Sequence, residues 1–147
     1  MSESLSQKQT LVAGADGFIG SHLVEQLVQA GARVRALVYY NSWNQIGWLN
    51  DVAPEVLKDV EIIQGDIRDA ERIQLAVADC EYVFHLSSLI AIPYSYVAAR
   101  SYVDTNITGA LNVLQACRNS DRLTRLVHVS TSEVYGTAQT VPIDEQH

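Results

Sequence analysis

The stretch LVAGADGFIGSHLVEQL, Leu11–Leu27, decides how this chain is read. It begins in the short apolar run Thr10–Ala13 and ends in helical periodicity, with Leu23, Leu27 and Ala30 at three- and four-residue steps and Gly31 as the stop. Between the two lies G-x-x-G-x-x-G, formed by Gly14, Gly17 and Gly20. Gly14 permits a tight turn, Gly17 lets the backbone approach a pyrophosphate, and Gly20 lets the helix close on the strand. A helix that starts there turns unpaired N–H groups and the positive end of its dipole toward phosphate oxygens. Three glycines alone say little. In a strand–turn–helix setting they indicate a dinucleotide site, for NAD or NADP.

Four more β-branched or apolar runs follow, at Arg33–Val38, Val60–Gln64, Tyr82–Leu86 and Arg125–Ser130. Helical patterns lie between them; in Asp104–Cys117, Ile107, Leu111 and Leu114 recur at helical spacing. Tyr39–Asn50 has no clean period and reads as a long loop or irregular turn. Strands alternating with helices imply right-handed crossovers and a parallel sheet. The expected fold is therefore α/β, a Rossmann-like doubly wound sheet of strand order 3-2-1-4-5. One domain is expected over residues 1–147, with a flexible N-terminus over 1–9. Dinucleotide sites of this kind usually place an acidic residue about 20 residues beyond the glycines, at the end of the second strand, on the adenosine ribose. Here Val38, Tyr39 and Tyr40 stand there, and no Asp or Glu occurs between Glu25 and Asp51. Arg33 and Arg35 lie too far back on that strand to clamp a 2′-phosphate, so the choice between NAD and NADP stays open.

With 48% hydrophobic and 18% charged residues, the chain has the composition of a packed globular protein. A net charge of -7 and the absence of any Lys or Arg run exclude nucleic acid and anionic membrane surfaces as expected partners. No apolar run approaches the roughly 18 residues of a membrane span. The polar start MSESLSQKQT is no signal peptide, so a cytoplasmic location is expected. Cys80, Cys117 and the four histidines (His22, His85, His128 and His147) have no ligand spacing, and no metal site is expected.

Five strings then occur in order: GADGFIG, GDIRD (Gly65–Asp69), VFHLSSL (Val83–Leu89), DTNITGALNVL (Asp104–Leu114) and VHVSTSEVYG (Val127–Gly136). On these the sequence resembles the extended short-chain dehydrogenase/reductase family, in its nucleotide-sugar epimerase/dehydratase branch. The resemblance implies a nucleotide-sugar substrate. It also implies cofactor contacts from Gly14, Gly17, Phe18, Ile19 and Gly20, and from Asp66 and Ile67 against the adenine ring. Leu86, Ser87 and Ser88 would line the turn after the fourth strand, although the family usually shows alanines where these two serines stand. Asn106 would organise the site from the following helix. LVYYNSWNQIGWL (Leu37–Leu49) and LIAIPYSYVAARSYVDTN (Leu89–Asn106) resemble dehydratases acting on a nucleotide-linked N-acetylglucosamine, in which Pro93, Tyr94 and Ser95 would border the sugar pocket.

The same resemblance gives STSEVYG its chemistry. Oxidation at C4 of the sugar makes a ketone that acidifies the C5 proton. Thr131 would hydrogen-bond O4, and Glu133 would take the C5 proton, after which water leaves from C6. A simple 4-epimerase has no use for such a carboxylate, so Glu133 favours a 4,6-dehydratase. Many dehydratases carry an Asp where Ser132 stands, and the Thr-Ser-Glu sequence also resembles nucleotide-sugar-acid decarboxylases. The family's proton relay further requires Tyr-x-x-x-Lys, with both side chains on one helical face. The only lysines are Lys8 and Lys58, and neither has a tyrosine four residues before it. The resemblance thus implies the N-terminal, cofactor-binding part of a larger homodimeric enzyme, inactive by itself. Three readings remain: a 4,6-dehydratase, a decarboxylase or epimerase of the same family, and a non-catalytic dinucleotide-binding module.

Overall fold

The computed structural model describes residues 5–147. Each β-branched run forms a strand: β1 (Gln9–Ala13), β2 (Arg33–Tyr39), β3 (Val60–Gly65), β4 (Tyr82–His85) and β5 (Arg125–His128). All pairings are parallel, and the strand order is β3-β2-β1-β4-β5, the expected 3-2-1-4-5. β4 and β5 are shorter than their apolar runs, yet the next amides continue the ladder. Leu86 N–H donates to the Ala13 carbonyl at 2.9 Å and Val129 N–H to the His85 carbonyl at 3.0 Å.

Strand side chains alternate between two layers, which is what covers both faces of a parallel sheet. Leu11, Ala13, Leu37 and Val83 pack beneath α3 (Ala70–Val77) and α6 (Ala110–Arg118). Val12, Val34, Ala36 and Val38 pack on the other face, beneath α1 (Phe18–Gln29) and the buried Leu49. The first four residues of the N-terminus expected to be flexible lie outside the described residues. From Leu5 onward the chain is tied down: Leu5 packs on the second layer, Gln7 N–H donates to the Gly31 carbonyl, and Lys8 pairs with Glu81 at 2.6 Å.

The helix expected over Asp104–Cys117 is longer and less regular. α4 (Ile92–Ser95) and α5 (Ala99–Tyr102) lead into a π-helical segment, Val103–Gly109, and then α6. The stripe that reveals this helix in the sequence is not the face it buries. Ile107, Leu111 and Leu114 are 64%, 50% and 47% exposed, whereas Gly109, Val113, Ala116 and Cys117 are buried. A β-carbon at Gly109 would fall 2.6 Å from Cγ2 of Ile67, so the buried side begins at a position with no side chain, which an apolar stripe does not register. Tyr39–Asn50 also holds more structure than a loop reading gives. The Asn41 side chain accepts from Trp43 and Gln45 N–H and donates to the Gln45 carbonyl, and a short 3₁₀ turn at Gly47–Asp51 and α2 (Pro54–Leu57) follow.

At the end of β4, His85 is buried with no hydrogen-bond partner for Nδ1 among the described residues, and the His128 ring lies 4.8 Å away. Burial, reinforced by His128, pushes its pKa down to about 4 from an ordinary 6.5. Between those values the unfolded chain takes up a proton that the folded chain refuses. Stability is therefore full above pH 6.5 and falls as pH drops toward 4, by up to about 3 kcal/mol. Urea unfolding midpoints between pH 7 and pH 4 will show this fall, and His85→Phe will flatten it. An unchanged slope in the variant would remove His85 as its source.

Among the described residues no helix is long and apolar enough to cross a membrane. Nor does any group of three His, Cys, Asp or Glu side chains sit where it could hold a metal ion.

Candidate cofactor site

The parallel order brings the C-terminal ends of all the strands to one edge, and β1 and β4, neighbours in space, part their connections there. Ligands bind such sheets at that kind of crevice. A cleft of about 520 Å³ opens at this position, lined by Gly14, Asp16, Gly17, Tyr39, Asp66, Ile67, Arg68, Leu86, Ser87, Ser88 and Tyr94 among others.

The glycines divide the work. Gly14 adopts φ +86°, open to few L-residues, and a β-carbon there would sit 2.9 Å from the Ser87 amide nitrogen. At Gly20 a β-carbon would fall 2.1 Å from the Gly14 carbonyl oxygen, so this glycine lets α1 close on the turn. Gly17 is different: its nearest neighbour would be the Gly14 oxygen at 3.3 Å, and it lines the cleft. Gly17 also caps α1 with no side-chain hydrogen bond, which leaves the first amides of the helix to an incoming anion. A cradle that excludes β-carbons and ends in a helix N-terminus fits a pyrophosphate. Phe18 and Ile19 do not line the cleft; their side chains are exposed, and Phe18 packs edge-on against Trp48 and His22. Any contact they make with a dinucleotide would come from the backbone.

Asp66 and Ile67 form the opposite wall. Both Asp66 oxygens accept from the Arg68 guanidinium, and Asp66 also accepts from Arg68 N–H at 2.9 Å. That pairing holds the Asp66 carboxyl below the usual carboxylate range. Ile67 is fixed from behind, where Asn112 Nδ2 donates to its carbonyl at 3.1 Å and Gly109 gives its side chain room. Nothing in the spacing of DTNITGALNVL singles out Asn112 for this task.

Asn106 lies in the π-helical segment and does not line the cleft. Its Oδ1 accepts from Leu89 N–H at 2.8 Å and its Nδ2 donates to the Leu89 carbonyl at 2.9 Å. This two-way clasp pins the chain just after Leu86, Ser87 and Ser88, so Asn106 is a positioning residue. Of the three residues expected near a sugar, Tyr94 lines the cleft, whereas Pro93 and Ser95 stand beside it on α4. Thr131, Ser132 and Glu133 lie outside the cleft, exposed on a 3₁₀ turn (Ser132–Tyr135) three residues beyond β5. Thr131 Oγ1 accepts from Glu133 N–H at 3.3 Å, which ties these two residues into one turn.

Asp16, an unassigned position within the glycine string, proves central. Its Oδ2 accepts from Tyr39 N–H at 3.1 Å, at the end of β2, and its carbonyl accepts from Trp48 N–H at 3.0 Å. Gly47 makes the second contact possible: it sits at φ +60°, where a β-carbon would fall 2.3 Å from the Asp16 oxygen.

The family model for GDP-mannose 4,6 dehydratase matches residues 11–147, nearly the whole chain. The chain belongs to the GDP-mannose 4,6 dehydratase family. Among curated relatives of this dehydratase-family chain is UDP-glucuronate 4-epimerase 3 of Arabidopsis thaliana, 31% identical over 140 residues, with 92% of this chain and 32% of that enzyme covered. Among solved structures, the UDP-N-acetylglucosamine 4-epimerase of Methanobrevibacter ruminantium M1, in complex with UDP-N-acetylmuramic acid, superposes with TM-score 0.80. It is 30% identical, and the match covers 95% of this chain and 43% of that one. The UDP-glucose-4-epimerase of Stenotrophomonas maltophila, with bound NAD and formylated UDP-arabinopyranose, gives TM-score 0.73 at 26% identity, covering 94% and 41%. The dehydratase-family chain thus spans about a third to two fifths of the length of these relatives. They place it in the nucleotide-sugar epimerase/dehydratase branch of the extended short-chain dehydrogenases, as the five strings imply.

Proposed function

We propose that this chain is the NAD(P)-binding part of a nucleotide-sugar 4,6-dehydratase. The observation that carries the reading is Glu133, tied to Thr131 in one turn on the sheet edge where the cleft opens. When bound, a nicotinamide dinucleotide supplies the hydride acceptor and donor. Gly14, Gly17 and the first turn of α1 hold its pyrophosphate, while Asp66 and Ile67 meet the adenine. Ser87 and Ser88, steadied through Asn106, line the cleft. Thr131 donates its hydroxyl hydrogen bond to the sugar O4, and Glu133 takes the proton from C5. The phenol that accepts the O4 proton belongs to a Tyr-x-x-x-Lys pair, which these 147 residues do not contain.

The epimerase relatives favour a second reading, 4-epimerisation, which leaves C5 and C6 untouched. Product analysis separates the two. A protein joining this chain to a Tyr-x-x-x-Lys pair is expected to convert UDP-N-acetylglucosamine into its 4-keto-6-deoxy derivative, seen as a mass loss of one water. Formation of only the C4 epimer would replace the dehydratase reading. So would carbon dioxide release from a UDP-uronic acid without turnover of the neutral sugar.

A further inference from the structure

We propose that Asp16 replaces the missing acid at the end of β2 and sets the cleft for a dinucleotide with a free 2′-hydroxyl, NAD over NADP. The inference rests on the cofactor reading above and goes beyond it. The sequence leaves Val38, Tyr39 and Tyr40 where an acidic residue usually meets the adenosine ribose. In space that place is reached from the turn after β1, the strand paired with β2. The Asp16 carboxylate reaches the strand end and lines the cleft, with Oδ2 anchored by Tyr39 N–H at 3.1 Å. Its Oδ1 has no hydrogen-bond partner recorded among the described residues. One oxygen is thus fixed by the backbone, and the other is left to accept from a ribose hydroxyl.

The surroundings also work against a 2′-phosphate. The Tyr39 amide, a backbone donor at the strand end, is already committed to a carboxylate. The two cations of β2 lie toward its start and are engaged elsewhere. Arg33 donates to the Gln7 side chain, and Arg35 pairs with Glu61 while donating to the Ala76 and Ala78 carbonyls. Arg68, which does line the cleft, is held by both oxygens of Asp66. The charged side chains lining the cleft are Asp16, Asp66 and Arg68, a balance of one negative charge. Bringing a doubly charged phosphate beside Asp16 costs Coulomb energy that a neutral hydroxyl avoids. The placement is firm, because Trp48 N–H holds the Asp16 carbonyl and Gly47 admits that approach.

Calorimetric titration of the purified protein with NADH and NADPH at one ionic strength tests this. NADH is expected to bind at least roughly tenfold more tightly than NADPH, a difference of about 1.4 kcal/mol. Asp16→Asn keeps an acceptor for Tyr39 N–H and removes the charge. It should narrow the NADH-over-NADPH ratio by roughly five- to tenfold, through tighter NADPH and a weaker hydrogen bond to the NADH ribose. Asp16→Ser, neutral and smaller, should move the ratio in the same direction, and circular dichroism will confirm that both variants fold. Equal affinities in the wild type, or a ratio unmoved by both variants, overturn the assignment of Asp16 alone. Binding of neither dinucleotide overturns the cofactor reading together with it.

Discussion

Glu133→Gln in the active enzyme is expected to lower the rate of dehydration by about 10²–10⁴-fold, the usual contribution of a positioned general base. Glutamine has the same shape and cannot take a proton. The backbone is unaffected, since the contact to Thr131 uses the N–H of residue 133, which every non-proline side chain leaves in place. Glu133 also lies outside the cleft lining, so NADH affinity should stay within about twofold, less than 0.5 kcal/mol. The most informative readout is solvent deuterium. Wild-type enzyme in D₂O will wash deuterium into C5, and the variant will lose that exchange while still oxidising C4. If exchange and dehydration both persist in Glu133→Gln, the base is another residue.

Gly20→Ala is expected to destabilise the chain by about 3 kcal/mol or more, at or beyond the upper end of the usual range for overpacking. The added carbon would lie 2.1 Å from the Gly14 oxygen and 2.9 Å from the Ala15 α-carbon. Both are backbone atoms of the turn itself, so no rotamer change relieves the contact. Either α1 lifts off β1 or the turn opens. Domains of this size are stable by only about 5–15 kcal/mol, so the urea midpoint should drop sharply. Gly17→Ala is the paired control. Its β-carbon would meet only the Gly14 oxygen at 3.3 Å, and the expected stability cost is about 1 kcal/mol. Gly17 lines the cleft, so the main effect of the substitution should fall on dinucleotide affinity. Equal stability losses in the two variants would contradict the division between a packing glycine and a ligand-facing one.

The sheet was readable because a parallel strand is buried on both faces and therefore leaves an apolar run, as Arg33–Val38 and Tyr82–Leu86 do. The glycine turn was readable because its backbone demands are strict. The buried face of α6 was not, because Ile107, Leu111 and Leu114 give the stronger periodic signal while the sheet accepts Gly109, Val113, Ala116 and Cys117. Periodicity reports a helix and does not say which side meets the core. Asn106 was identified by resemblance, but its action through the Leu89 backbone is a tertiary fact. Asp16 was missed for a different reason. A spacing rule looks for the ribose acid along β2, whereas the carboxylate at that strand end comes from the turn after β1, 23 residues before Tyr39. The empty place at Val38–Tyr40 was the signal. Such a gap points to a carboxylate supplied from elsewhere in the fold, and only the β1–β2 register makes that carboxylate Asp16.

The central claim is that the turn Gly14–Gly20 and the cleft beside it bind a nicotinamide dinucleotide. Titration of NADH into the folded protein, followed by calorimetry, tests it most directly. A single saturable site is predicted, competed by ADP-ribose, which shares the pyrophosphate and adenosine, and weakened by Gly17→Ala. A protein with a cooperative unfolding transition that shows no binding heat at several temperatures would contradict the claim.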